Sequence, residues 1–240
     1  MLVALATYNE IENLPTLVAA IHEQLPAALV LVVDDNSPDG TGRWCDDFAG
    51  EHPWFSVLHR PGKMGLGSAT WAAMQQAMAA DHDLLLTLDA DWSHPPEALP
   101  RLAAAAQEAD VAIGSRYCAG GRIEGWPARR RLISLVMNSA TRVALGAPVR
   151  DASGACRAYR VAALRRVEFD QLTATGYAYL EEILWHLQRA GARFAEVPIT
   201  FADRRAGASK VHLGEALGKA RVLARLAWRR FASSGRRKLG

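Results

Sequence analysis

The sequence predicts an α/β fold built on one open, mostly parallel sheet with helices on both faces. Three observations predict it. Short apolar runs rich in Val and Leu alternate with longer helix-like segments. Polar clusters follow the apolar runs rather than interrupt them. Half of the 240 residues are hydrophobic and 22% are charged, an ordinary globular composition that excludes a disordered chain.

In chain order, Leu2–Ala6 reads as a strand and Glu12–Gln24 as a helix. Leu29–Val33 is a strand of Leu and Val alone, a pattern that expects burial on both faces. Gly42–Gly50 reads as a helix, Phe55–His59 as a strand and Gly67–Ala80 as a helix rich in Ala, Met and Gln. Leu84–Leu88 is the next strand, Pro96–Glu108 a helix and Val111–Gly114 a strand. The second half is more helical, with a late strand expected at Ile199–Phe201 and a final helix at Leu213–Phe231.

The net charge of +3 says little, but the end of the chain is distinctly basic. Cys45, Cys118 and Cys156 are widely spaced and form neither a CxxC pair nor a zinc pattern, which fits a reducing cytoplasmic compartment. The chain opens directly on a strand with no basic leader, so no signal peptide is expected. No apolar run reaches the roughly 18 residues of a membrane span. The best stretch, Leu132 to Gly146, is interrupted by Asn138 and Arg142.

The polar clusters sit where chemistry is expected. Thr7-Tyr8-Asn9-Glu10, Asp34-Asp35-Asn36-Ser37, Asp89-Ala90-Asp91 and Ser115-Arg116-Tyr117 each follow a strand. Ligands of open α/β sheets bind at that edge. Asp89 and Asp91, two carboxylates at i and i+2 after a buried strand, suit a hard divalent cation such as Mg²⁺ or Mn²⁺ together with substrate phosphates. A lone DxD is more often a solvated acidic turn; the preceding strand and the following His94-Pro95-Pro96-Glu97 weigh against that here. Asp34 to Thr41 has the composition any turn requires. Lys63-Met64-Gly65-Leu66-Gly67 joins a cation to two glycines before a helix, which allows close approach of an anion but lacks a P-loop ending. Arg116 at a strand end suits phosphate oxygens. For Arg129, Arg130 and Arg131 a solvated helix face is an equal alternative. Arg204, Arg205 and Lys210 surround Gly207-Ala208-Ser209.

Taken together, these segments, with Gly120-Gly121, Trp126 and Gly207-Ala208-Ser209-Lys210, resemble in order and spacing the polyprenyl-phosphate mannose synthases of glycosyltransferase family 2. The likeness runs over nearly all of residues 1–212. It implies a GT-A fold over 1–212; the residues beyond, 213–240, read by their own pattern as a basic amphipathic helix and tail. It implies inverting transfer of mannose from GDP-mannose to a polyprenyl monophosphate. By position, Tyr8, Glu10 and Asp35 would line the nucleoside with Asp34 close by. Asp89, Ala90 and Asp91 would meet the diphosphate, with Asp89, Asp91 and Ser93 about the metal. Arg204 and Lys210 would face the donor phosphates, and Arg116, Arg130 and Ser134 the acceptor phosphate. Asp91, Arg116 and Arg130 would carry the catalysis. Ala6 departs from the family's usual Pro, and Asp151-Ala152-Ser153-Gly154-Ala155-Cys156-Arg157 departs from its Asp…Ser-Gly-Phe-Arg stretch.

The acceptor would bring the protein to the cytoplasmic face of a membrane. Leu213, Leu217, Leu223, Leu226 and Phe231 alternate with Lys219, Arg221, Arg225, Arg229 and Arg230, a mixture that suits either an anionic membrane surface or packing on the domain. A small anchoring partner is a further expectation. Physics alone leaves the base and the sugar open, so UDP-glucose remains an alternative donor. A non-catalytic nucleotide-sugar binding module is the alternative of another class, opposed by the retained carboxylates and cations. Nucleic acid is not expected, because acidic clusters occupy the ligand edge.

Overall fold

A computed structural model describes the backbone of residues 1–203 and 213–236, and the side chains of 1–203 and 218–230. The strands are β1 (Leu2–Thr7), β2 (Leu29–Asp34), β3 (Phe55–His59), β4 (Leu84–Asp89), β5 (Val111–Ser115), β6 (Arg122–Ile123), β7 (Arg157–Arg160), β8 (Phe194–Pro198) and β9 (Thr200–Phe201). The helices are α1 (Leu14–Gln24), α2 (Thr41–Glu51), α3 (Leu66–Ala79), α4 (Leu99–Glu108), α5 (Ala128–Leu145), α6 (Val161–Leu164), α7 (Tyr179–Arg189) and α8 (Leu213–Arg236).

Seven strands form one sheet in the order β3-β2-β1-β4-β7-β5-β8. All are parallel except β7, which runs antiparallel between β4 and β5. β2 illustrates why such strands read as continuous apolar runs. Val30 and Val32 pack on one face of the sheet with Leu14, Leu17 and Leu99. Leu31 and Val33 pack on the other with Met74, Tyr179 and Leu184. Full burial of each such side chain contributes about 1.5–3 kcal/mol. The expectation of an open, mostly parallel sheet with helices on both faces is met.

The reversal of β7 sorts the molecule into two edges. Leu84, the first residue of β4, lies opposite Arg160, the last of β7. The parallel strands thus end at one edge, while β7 ends and α6 begins at the other. β7 was not expected, because Arg157 disrupts the apolar pattern. Its guanidinium is fully buried, donating to the carbonyls of Gly154 at 2.7 Å, Ala152 at 2.8 Å and Leu180 at 2.9 Å. The helix expected from Glu12 begins at Leu14 instead, after a turn closed by Asn13 N–H on Glu10 C=O at 3.0 Å and with Pro15 in the first turn.

α5 turns Asn138, Thr141 and Leu145 inward. Its other side leaves Leu132, Ile133, Leu135, Val136 and Met137 between 46% and 61% exposed. The expected C-terminal helix is present as α8 and packs on the domain. Leu226 is buried against Leu145 and Trp185. Lys219 pairs with Glu181 at 2.5 Å, and Arg225 pairs with Glu182. Arg230 donates to the carbonyls of Val143 at 2.6 Å and Ala144 at 3.1 Å, filling two open acceptors at the end of α5. Among the described residues, no helix is long and apolar enough to cross a membrane.

Candidate active site

The edge where the parallel strands end collects the polar clusters. After β2, Asp34 is fully buried beneath its loop. Its carboxylate accepts from the Thr7 hydroxyl at 2.9 Å, Ser37 N–H at 2.9 Å and the Ser37 hydroxyl at 2.5 Å. Asp34 therefore ties the loop after β1 to the loop after β2. Partial burial pushes the Asp39 carboxyl up, but donors from Thr41 and Ile11 outweigh this and hold it below the ordinary range. Asn9, in the left-handed region at φ 59°, donates N–H to the Ser37 hydroxyl at 2.9 Å. Glu10 N–H meets the Thr41 hydroxyl at 3.0 Å, and the Glu10 carboxylate accepts from Asn13 at 3.0 Å.

Asp35 faces the next loop. It accepts Met64 N–H at 2.9 Å and Gly65 N–H at 3.3 Å, and pairs with Arg60 at 3.0 Å. The Lys63 ammonium stands 4.5 Å from the centre of the Tyr8 ring, close enough for a cation–π contact. Gly65 is required at its position: its φ is +96°, and a β-carbon there would meet Thr175 C=O at 2.5 Å. The loop consequently lies against residues 173–175, with Gly67 N–H donating to Thr175 C=O at 2.7 Å.

Asp89 closes β4 with its side chain 28% exposed, whereas Asp91 is only 7% exposed. Ala90 between them is buried. Asp91 accepts Ser93 N–H at 3.1 Å and the Ser93 hydroxyl. The Ser93 hydrogen is thus directed at Asp91, and Ser93 orients that carboxylate. His94 is buried, with Nδ1 accepting Asp89 N–H at 3.4 Å and its ring edge-on to Phe201 at 5.2 Å. Burial lowers the His94 pKa to about 4, leaving it neutral near pH 7. The donor set is all oxygen, two carboxylates and a hydroxyl, and fits a hard divalent cation. Among the described residues no cluster of three Asp, Glu, His or Cys side chains is present.

After β5, Arg116 makes a two-pronged contact with the fully buried Asp151: Nε to Oδ2 at 2.8 Å and Nη2 to Oδ1 at 2.7 Å. Nη2 also reaches the Ser153 hydroxyl at 2.9 Å, and Arg116 N–H meets Asp151 at 3.0 Å. Burial works against both charges, but their mutual contact outweighs it. Arg116 is raised and Asp151 lowered from their ordinary values. Asp151 occupies the Nε–Nη2 side of the guanidinium, while Nη1 has no partner among the described residues. The Asp89 charge also contributes to the rise at Arg116, so Asp89 and this arginine lie within electrostatic reach.

The other expected acceptor residues approach from α5. Ser134 accepts the Tyr117 hydroxyl at 2.7 Å, and the Arg116 guanidinium lies 5.3 Å from the Tyr117 ring. Arg130 stacks 4.0 Å from the Trp126 ring and pairs with Asp203 at 3.3 Å. Phe201 joins these groups, with Trp126 5.3 Å away and Arg116 at the same distance. Sequence reasoning did not single out Phe201 or identify Asp151 as the partner of Arg116. An apolar residue in a two-residue strand and an ion pair 35 positions apart carry no local signal. Arg204 and Lys210 lie outside the described residues.

Comparisons with known proteins show the family and the fold. Residues 2–168 match the family described as Glycosyl transferase family 2. The chain is 42% identical over 214 residues to the undecaprenyl-phosphate mannosyltransferase of Micrococcus luteus, covering 89% of this chain and 88% of that protein. It is 41% identical over 212 residues to the polyprenol monophosphomannose synthase of Mycolicibacterium smegmatis, covering 88% and 80% respectively. Among solved structures, glucosyl-3-phosphoglycerate synthase from Mycobacterium tuberculosis, in complex with Mn²⁺, UDP and glucosyl-3-phosphoglycerate, superposes with a TM-score of 0.67. The identity is 19%, covering 95% of this chain and 78% of that one, so the likeness is one of fold. The chain belongs to glycosyltransferase family 2 and is a glycosyltransferase with a GT-A-like fold.

Proposed function

We propose that the chain transfers mannose, with inversion, from GDP-mannose to a polyprenyl monophosphate. The observation that carries this reading is Arg116, held by Asp151 with Nη1 unpartnered among the described residues, within electrostatic reach of Asp89. One side suits a phosphate monoester acceptor and the other a sugar-diphosphate donor. The relatives named as undecaprenyl-phosphate mannosyltransferase and polyprenol monophosphomannose synthase support the same chemistry.

Tyr8, Glu10 and Asp35 would bind the nucleoside, with Asp34 fixing their loops from below. Asp89 and Asp91 would hold Mg²⁺ or Mn²⁺, with Ser93 orienting Asp91; the bound cation offsets negative charge on the departing diphosphate. Arg204 and Lys210 are proposed at the donor phosphates. Arg116 and Arg130, with Ser134, would seat the acceptor phosphate and direct one oxygen at the anomeric carbon. That oxygen forms the new C1–O bond as the bond from C1 to the diphosphate breaks and GDP leaves. The attacking oxygen is already anionic near neutral pH, so positioning and electrostatics dominate over proton transfer.

Peripheral membrane contact is part of the proposal. The outward apolar side of α5 begins one residue after the Arg129–Arg131 run that contains Arg130. An interfacial helix of this kind would bring the acceptor's phosphate to protein at headgroup depth.

The deciding experiment is transfer of labelled mannose from GDP-mannose to a polyprenyl phosphate with Mn²⁺ or Mg²⁺, against EDTA and UDP-glucose arms. Labelled lipid formed only with metal and GDP-mannose is expected. Product from UDP-glucose alone would change the donor, and no product from either would overturn the reading.

A further inference from the structure

The first half of α5 meets the rest of the protein through polar groups. From 128 to 138 every residue is exposed except Ser134, which is half-buried, and Asn138, which is buried. The buried residues of the helix are Asn138, Thr141 and Leu145, so no apolar side chain of this half enters the core. Arg130 and Arg131 reach back to Trp126, just ahead of the helix. Most helices are held by burial of an apolar face. Here directional hydrogen bonds set where the helix lies.

Ser134 and Asn138 are four residues apart and share one face of α5. Ser134 accepts the Tyr117 hydroxyl at 2.7 Å. Asn138 spans the chain on either side of Asp151. Its Nδ2 donates to Arg150 C=O, and its Oδ1 accepts Ala152 N–H at 3.0 Å. A side-chain amide supplies that donor and that acceptor together, in one rigid plane. Glu196 on β8 holds the same segment from another element, accepting Arg150 N–H at 2.9 Å and Asp151 N–H at 3.0 Å. The backbone around Asp151 is therefore fixed from α5 and from β8 before its carboxylate meets Arg116.

Arg116 belongs to the loop after β5, whereas Arg130 and Ser134 belong to α5. A phosphate seated by all three needs the two elements at one fixed separation. Resting on the reading of these residues as acceptor ligands, we propose that Asn138 is the positioning residue that sets the two halves of the acceptor site in register. It ties α5, which carries Arg130 and Ser134, to the segment whose Asp151 holds Arg116. Its own amide is occupied by the backbone and touches no substrate. Loss of the amide leaves each cation in place but frees their mutual distance, so affinity for a phosphate monoester falls. The nucleotide, bound at the loops after β1 and β2, is unaffected.

The test is binding of farnesyl phosphate to the full chain, by calorimetry in metal-free buffer. The parent is compared with Arg116→Ala, Asn138→Ala and the double variant. The melting shift given by GDP with Mn²⁺ is recorded beside each. Asn138→Ala should bind farnesyl phosphate about tenfold or more weakly, the scale of coupling between residues that share a network. Its GDP–Mn²⁺ shift should equal the parent's. In the Arg116→Ala background the same substitution should add little, because one half of the site is already gone. Asn138→Asp keeps the shape and the Ala152 contact but turns an oxygen toward Arg150 C=O; it should show the same selective loss, and serves if the alanine variant does not melt cooperatively. Parent-like binding by the folded Asn138 variants, with binding weakened by Arg116→Ala, would overturn the role of Asn138 and leave the acceptor reading standing. An equal loss of the GDP–Mn²⁺ shift, or a full further loss in the Arg116→Ala background, would reduce Asn138 to a general structural role and overturn the proposal. No binding by the parent, or parent-like binding by Arg116→Ala, would overturn the acceptor reading and the role of Asn138 with it.

Discussion

At the scale of single residues, the site depends on carboxylates that are held rather than loose. Asp91 is mostly buried and receives two donors from Ser93, so its orientation is set before any ligand arrives. Asp91→Asn should lower kcat by about 100-fold or more while melting within a few degrees of the parent, since a lost electrostatic contact in a preorganised site has that scale. Ser93→Ala should cost less, because the carboxylate remains and only its orientation loosens. Steady-state kinetics at saturating metal, beside melting curves, separates the two. Asp151 makes a different prediction. Its partner Arg116 holds it ionised below the ordinary carboxyl range despite burial. The unfolded carboxyl titrates near 3.9, so the pair contributes its stability above about pH 4 and loses it as pH falls through the lower folded value. Asp151→Asn should be less stable than the parent near neutrality, with the difference narrowing below pH 4. It should also raise KM for the polyprenyl phosphate more than KM for the nucleotide sugar. Urea melts across pH and paired KM measurements check both halves.

At the scale of elements, α5 and α8 divide packing and exposed apolar surface differently. The C-terminal segment mixes basic and apolar residues, a pattern that suits a membrane surface or a packed helix equally well. Leu226 is buried against Leu145 and Trp185, and Arg225 and Lys219 pair with the buried Glu182 and Glu181, so the described part of α8 is tied to the domain. α5 instead carries the exposed apolar row. Replacing Leu132 and Val136 by Ser should therefore reduce liposome flotation with little change in melting temperature. Flotation unchanged by this pair would remove α5 from the proposed membrane contact. Glu182 links α8 to the start of α3: it takes Arg225 while accepting Thr173 N–H at 2.9 Å and Ala174 N–H at 2.7 Å, beside the carbonyl that anchors Gly67. Glu182→Ala leaves a partly buried guanidinium and two N–H groups without their acceptor, which should destabilise the fold by about 3–5 kcal/mol in a urea melt.

At the scale of the whole molecule, legibility followed locality. β1, β2 and β4 were readable because parallel strands buried on both faces are near-continuous apolar runs. Their C-terminal loops were readable because the chain places polar residues directly after them. β7 and β8 were not, since Arg157 and Glu196 satisfy their charges through partners chosen by tertiary folding. The edge assembled from separate strands makes a global prediction. Ligand held between loops after β1, β2, β4 and β5 engages segments from residue 7 to residue 116, so it binds the folded chain and not the unfolded one. GDP with Mn²⁺ should raise the melting temperature in proportion to the logarithm of ligand concentration above its Kd, about 2.7 kcal/mol at a hundredfold excess. Mn²⁺ alone should do much less, because the described residues offer only two carboxylates and a hydroxyl and a diphosphate adds further oxygen ligands. Asp89→Asn/Asp91→Asn should abolish the extra shift that Mn²⁺ adds to GDP while leaving a smaller shift from GDP alone through the nucleoside loops. A metal increment that survives in this variant would place the cation elsewhere in the chain.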